Sequence, residues 1–133
     1  MKVYFGADHA GFELKNTLVA YVRDELGYEV EDMGTHALDP SDDYPDFIGE
    51  AARRLAADIA SGLESRAILI GRSGQGEAMV ANRFKGVRCA LYYGPAGREQ
   101  TDADGKQFDM LASTRMHNDA NALALGGRFL SEE

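Results

Sequence analysis

The chain carries a single cysteine in 133 residues, which excludes an internal disulfide and fits a reduced compartment. Cys89 lies in the apolar segment Val87 to Tyr93, where a thiol is expected to be a small, unreactive core residue. No apolar run approaches the roughly 20 residues that span a bilayer. The amino terminus enters a strand-like segment without a signal-peptide pattern, so a cytoplasmic protein with no membrane partner is expected. Positive charge is scarce as well: 14 Lys and Arg against 22 Asp and Glu give a formal net charge of −8 and a pI near 4.8. This balance offers no general attraction to nucleic acid, and an anionic ligand therefore needs a local basic patch. The three histidines, His9, His36 and His117, lack metal-ligand spacing and no carboxylate cluster demands a cation. Asp42-Asp43 and Glu132-Glu133 read as solvated charge, and there is no internal repeat. The length fits one domain over residues 1–133.

What is present is an alternation of strand and helix. Val3 to Ala7 reads as a strand, and Leu14, Leu18, Val22 and Leu26 recur at helical spacing before Gly27. Tyr28 to Met33 is a second strand, followed by a polar loop over Gly34 to Tyr44. Pro45 suits the first position of a helix whose apolar face is Ile48, Ala51, Ala52, Leu55, Ala56 and Ile59. Ala67 to Ile70 is a continuous apolar strand of the parallel, doubly covered kind, followed by a glycine-rich loop and a helix running to about Phe84. Val87 to Tyr93, a loop over Gly94 to Gly105, a helix over Phe108 to Met116, and the strand Ala122 to Leu125 complete the order. The expected fold is α/β: a three-layer α/β/α sandwich around a five-stranded parallel, Rossmann-like sheet with right-handed crossovers. Ligands in such sheets bind beyond the carboxyl ends of the strands, where Asp8, His9, the Gly71 loop and Tyr93 fall.

The loop Gly71-Arg72-Ser73-Gly74-Gln75-Gly76-Glu77 carries the strongest chemical signal. Its glycines are expected to adopt backbone angles closed to other residues, so that successive N–H groups converge on an anion or enolate oxygen. Glu77 falls in the first helical turn and Ser73 in the loop, which sets acid/base and hydroxyl chemistry beside oxyanion donors. The spacing is G-x-x-G-x-G, not the G-x-G-x-x-G of a dinucleotide site, and no Gly-Lys-Ser or Gly-Lys-Thr of a Walker loop is present. A purely structural tight turn, with Glu77 only a favourable first-turn acid, is the plain alternative. Asp8-His9 follows the first strand on the same rim, and its plain alternative is a helix cap with an exposed neighbour. His117-Asn118 closes the fourth helix, where the plain alternative is a C-cap with Asn118 in the left-handed conformation.

Taken together, Gly6 to Lys15 (GADHAGFELK), Gly34-Thr35, Asp43-Tyr44-Pro45, Gly71 to Glu77, Ala81-Asn82-Arg83, Gly86 to Ala90, His117-Asn118 and Gly126-Gly127-Arg128 resemble the ribose-5-phosphate isomerase B family. That family includes the galactose-6-phosphate isomerase subunits. The resemblance covers nearly the whole chain in order. It implies interconversion of aldose and ketose phosphates through an enediolate, without a metal or other cofactor. Members use either a cysteine at the start of the glycine loop or a glutamate just after it. Gly71 stands at the first position and Glu77 at the second, so the glutamate type is implied. Glu77 would move the proton between C1 and C2, while Ser73 and the backbone amides of Arg72, Gly74, Gln75 and Gly76 would stabilise the enediolate oxygen. His117 would open the furanose ring, Asp8 and Asn118 would hold sugar hydroxyls, and His9 and Arg128 would meet the phosphate. The resemblance further implies a homodimer or dimer of dimers with shared sites, His117, Asn118 and Arg128 coming from the neighbour.

Two departures shape the substrate question. Family members continue into a terminal helix and an arginine-rich segment that grips the phosphate, and the present sequence stops at Glu133, so a short form is expected. The Gly94 to Gly105 loop is longer than usual and brings Arg98 and Lys106 near the site. Arg72 replaces the small residue usual in the family and, with Arg98 behind it, is expected to supply phosphate charge. Ribose 5-phosphate is the implied substrate. A six-carbon sugar phosphate, or a non-catalytic sugar-phosphate-binding subunit that needs a partner, are the alternatives.

Overall fold

The structure is a computed structural model that describes residues 1–34, 44–94, 101, 103–107 and 109–130, with side chains from Phe47 onward in the second stretch. His36, Asp42, Asp43, Arg98, Phe108, Glu132 and Glu133 lie outside the described residues. Among the described residues five strands form one sheet: β1 (Lys2–Ala7), β2 (Glu29–Asp32), β3 (Ser65–Gly71), β4 (Cys89–Tyr92) and β5 (Ala122–Gly126), in the order β2-β1-β3-β5-β4. Every pairing is parallel, with Phe5 opposite Ile68 and Ile68 opposite Leu123. Four α-helices connect them, α1 (Phe12–Ala20), α2 (Tyr44–Ala60), α3 (Gln75–Ala81) and α4 (Met110–Asn118). A single 3-10 turn over His9–Gly11 precedes α1, and a π-type turn over Tyr21–Glu25 extends it.

The strand order dictates the layers. From β1 the chain steps outward to β2, then crosses back past β1 to β3, so right-handed connections put α1 and α2 on opposite faces. It then steps over the position of β5 to reach β4 and returns, which pairs α3 with α2 and α4 with α1. Side-chain packing agrees. Ile48, Ala51, Ala52 and Leu55 of α2 and Ala81 of α3 bury against Tyr4, Ala67, Leu69 and Ala122, while Leu18, Val19 and Val22 cover Val3, Phe5 and Ile68 on the other face. The three-layer sandwich and its five parallel strands are therefore as the residue pattern implied. The differences are at element ends. α3 stops at Ala81 rather than near Phe84, because Asn82 turns away to bond both the N–H and the carbonyl of Cys89. Asp119, not Asn118, takes the left-handed cap of α4, with φ of 50°.

The direction reversal between β1 and β3 creates a crevice at their carboxyl ends, where a parallel sheet of this kind holds its ligand. At the opposite rim, Asp58 of α2 clamps the sheet. Its Oδ2 accepts from the Tyr4 hydroxyl and from the Ser65 hydroxyl, each at 2.7 Å. Burial pushes the Asp58 carboxyl up, but the Ser65 and Tyr4 hydrogen bonds outweigh it and the net shift is downward. A carboxylate held below its ordinary range stabilises the fold above that range and loses the contribution on acidification. Asp58→Asn is therefore expected to lower the melting temperature at about pH 7, and the gap to the unsubstituted protein should narrow towards about pH 3. Tyr4→Phe should cost about 1 kcal/mol in urea unfolding, and a gap independent of pH would contradict the clamp.

Candidate active site

The carboxyl ends of β1, β3 and β5 approach to backbone contact, and glycine is what permits it. A Cβ at Gly11 would lie 2.6 Å from the Ile70 carbonyl oxygen, and one at Gly126 would lie 2.8 Å from the Ser73 carbonyl oxygen. Backbone bonds then tie the three ends together: Asp8 N–H to Ile70 O at 3.3 Å, Gly127 N–H to Gly71 O at 2.7 Å, and Arg128 N–H to Arg72 O at 3.1 Å. The Asp8 turn, the Gly71 loop and the Gly126 to Arg128 segment thus form one continuous rim.

Glu77, in the first turn of α3, is 4% exposed. Its carboxylate folds back over Gly71 so closely that a Cβ there would sit 1.2 Å from Oε1. A side chain at residue 71 would therefore displace this carboxylate from its place. The expectation that glycines 71, 74 and 76 all supply unusual backbone angles holds only for Gly74, with φ of 78°. Gly76 lies within α3 and has no positive φ. Burial raises the Glu77 pKa, its own backbone N–H opposes the rise, and the Asp8 charge adds to it. A carboxyl shifted upward, at the carboxyl rim of the sheet and beside a loop of amides, is suited to act as a general base.

The other rim residues take distinct positions. Ser73 is half-buried and its hydroxyl accepts from the Gln75 N–H at 3.3 Å. Asp8 Oδ1 accepts from the Ala10 and Gly11 N–H groups at 2.9 and 3.3 Å, so it caps the turn as the plain reading held. Its Oδ2 takes no hydrogen bond among the described residues and remains available to a ligand. His9 Nδ1 is buried without a partner among the described residues, a state that costs free energy until something pairs with it. Gln75, Arg72 and Arg128 are exposed. Neither arginine is ion-paired among the described residues, whereas Arg23, Arg53, Arg54, Arg66 and Arg115 each meet a carboxylate. In an acidic chain two exposed arginines without carboxylate partners are candidates for the local positive charge that an anion requires.

His117 and Asn118 are not brought to this rim. They end α4, with the Asn118 carbonyl accepting from Arg88 Nε at 2.8 Å, at the amino end of β4. The length of β5, roughly 15 Å, separates them from Glu77 in the same chain. The Arg128 backbone lies beside the Gly71 loop of its own chain, its N–H donating to the Arg72 carbonyl, and its side chain is exposed. Cys89 is half-buried, and burial, with the Glu77 charge adding, pushes its thiol up to about 12, so it is a thiol and not a thiolate at neutral pH. Lys106 is exposed in the turn over 103–107. Lys15 had no assigned role, yet it is fully buried and 2.6 Å from Asp32. Its only sequence signal is a lysine next to Leu14 on the inward side of an amphipathic helix. No described helix is long and apolar enough to cross a membrane.

Residues 3–133 match the family model for Ribose/Galactose Isomerase. The ribose-5-phosphate isomerase B of Mycobacterium tuberculosis is 41% identical over 128 residues, 96% of this chain and 68% of the relative. A 4-deoxy-4-sulfo-D-erythrose isomerase from a Clostridium species is 44% identical over 127 residues, 96% of this chain and 69% of the relative. Among solved structures, ribose-5-phosphate isomerase B from Mycoplasma genitalium with bound ribulose-5-phosphate superposes with a TM-score of 0.80 at 29% identity, covering 98% of this chain and 75% of that one. With a parallel sheet in the same arrangement and a buried carboxylate over a glycine loop at its carboxyl rim, the chain belongs to the ribose/galactose isomerase family.

Proposed function

We propose that this protein is an aldose-ketose isomerase that converts ribose 5-phosphate to ribulose 5-phosphate through an enediolate, with Glu77 as the base. The observation that carries the reading is the Glu77 carboxylate, buried, raised in pKa and seated over Gly71 beside the Ser73 turn. In this reading Glu77 takes the proton from C2 of the open-chain aldose, the electron pair forms the C1–C2 double bond, and negative charge collects on oxygen. The Arg72 to Gly76 amides and the Ser73 hydroxyl face that charge. A proton passes from the C2 hydroxyl to O1, and return of the carbon-bound proton from Glu77 to C1 then leaves the carbonyl at C2. Asp8 holds a hydroxyl through its open Oδ2, and His9, Arg72 and Arg128 hold the phosphate.

Ring opening is assigned to His117, with Asn118 holding a hydroxyl, and both come from a second copy of the chain. Support comes from their distance from Glu77 within one chain, and from α4, which buries none of its side chains and exposes Met110, Leu111 and Met116. A homodimer with shared sites resolves both. One observation favours a second substrate: the 44% identical relative acts, by its name, on a sulfonated four-carbon aldose. That reading keeps the mechanism and exchanges the anion, and parallel kcat/KM measurements on ribose 5-phosphate, the sulfotetrose and six-carbon aldose phosphates separate the options. A folded protein that turns over none of them would be the binding-subunit alternative.

Glu77→Gln should lower kcat by about 10²–10⁴-fold. The activity of the unsubstituted protein should fall on acidification along a limb above 4.5, the ordinary glutamate value, since the base must be ionised. Because the fold disfavours the ionised form, Glu77→Gln should melt no lower than the parent at about pH 7. Wild-type kcat in this variant would remove Glu77 from the mechanism. Arg72→Gly should raise KM for the sugar phosphate about tenfold with little change in kcat, and an unchanged KM would exclude Arg72 from the anion site. Mixing Glu77→Gln with His117→Ala chains, each inactive alone, should restore about one quarter of the activity if each site draws on two chains. No restoration would place His117 outside the neighbour's site.

A further inference from the structure

Of the nine side chains in α1, the one that is fully buried is Lys15. Its Nζ lies 2.6 Å from Asp32 Oδ2 and 5.5 Å from the centre of the Phe12 ring. Desolvating an ammonium and a carboxylate to make such a pair is costly, and an apolar side chain of similar length often serves stability as well or better. The pair therefore calls for a reason other than stability, and its connections supply one. Asp32 Oδ1 accepts from the Gly34 N–H at 3.0 Å, and the Gly34 carbonyl accepts from the Ala7 N–H at 2.7 Å. Ala7 is the last residue of β1, and Asp8, which follows it, holds the Ala10 and Gly11 amides. An unbroken route thus runs from the buried ammonium through the end of β2 to the turn that presents Asp8 Oδ2 and His9. Lys15 itself lies four residues beyond Gly11 in the helical stretch that continues from the same turn.

We propose that Lys15 is a positioning residue which, through Asp32 and Gly34, fixes the Asp8-His9 turn against the substrate; what the turn does with substrate rests on the isomerase reading above. Two consequences follow. Loosening the ion pair weakens substrate binding more than it slows proton transfer, because Glu77 and Ser73 are carried by β3 and α3 and not by this turn. Its effect also runs through the turn that Asp8 caps, so it vanishes where Asp8 has already been truncated and the turn, His9 included, is already released.

The test is a double-mutant cycle of Lys15→Met and Asp8→Ala, read as KM and kcat, together with amide hydrogen exchange. Lys15→Met should raise KM about tenfold with kcat within about threefold, and in the Asp8→Ala background it should change KM by less than about twofold. Additive effects in the cycle, or a loss confined to kcat, would overturn the proposal. In the same variant, exchange at the Ala7, Ala10 and Gly11 amides should quicken about tenfold while the α3 amides stay unchanged, and unaltered exchange at those three also overturns it. If Lys15→Met does not fold, Asp32→Asn keeps the shape and the Gly34 contact while removing the charge. The same rise in KM is expected there, and an unchanged KM counts against the proposal. Should the parent protein turn over no aldose substrate, the isomerase reading falls alone, and amide exchange still decides whether Lys15 holds the turn.

Discussion

The contact on which the rest of this structure depends is the approach of three strand ends to within hydrogen-bonding distance of one another's backbones. Parallel strands normally diverge after their last paired residue, because the side chains of the following turns need room. Here Gly11, Gly71, Gly126 and Gly127 remove those side chains at the places where a Cβ would meet a carbonyl oxygen or the base. A methyl group forced into such a space costs of order 1–3 kcal/mol of strain when it meets rigid backbone, and here it would also separate the groups that the chemistry needs together. Once the ends are closed, Asp8, the Ser73 turn and Arg128 have fixed relations that no single loop could maintain alone.

Closure also sets the electrostatics. Water is excluded from around Glu77, which favours its neutral form, and Asp8 on the next strand end pushes in the same direction. The same rim carries Arg72 and Arg128, exposed and free of carboxylate partners among the described residues. A carboxylate base and an anion-binding patch would neutralise each other if they formed an ion pair. Among the described residues Glu77, buried, pairs with neither arginine, and both arginines are exposed, so under the isomerase reading the carboxylate stays available to a proton while the cations stay available to an anion.

Much of this was legible in the residues. Short apolar or alternating segments located all five strands, and their alternation with helical spacing gave the layers, because burial on one or two faces leaves a direct imprint on residue type. The Gly71 loop and Asp8-His9 could be placed on one rim from element order alone. The strand order was not legible, since nothing local distinguishes a strand inserted between β3 and β4 from one added at the edge. Consequently the position of Arg128 beside Arg72 could not be foreseen. The roles of individual glycines were also hidden: Gly71 and Gly74 look alike in sequence, yet one is needed for volume and the other for its φ of 78°. Lys15 escaped notice because a lysine in a helix reads as a solvated face, and only the position of Asp32 at the end of β2 shows why it turns inward.

The crowding at Gly71 carries a further implication for the chemistry of the fold. The carboxylate of Glu77 and any side chain at position 71 claim the same volume, since a Cβ there would fall 1.2 Å from Oε1. A side chain at position 71 and the Glu77 carboxylate in its present place are therefore alternatives: either residue 71 stays a glycine or the carboxylate turns elsewhere. What the backbone specifies is that a carboxylate carried by α3 can settle over residue 71, beside the Asp8 turn and the amides of the loop, because that residue has no side chain.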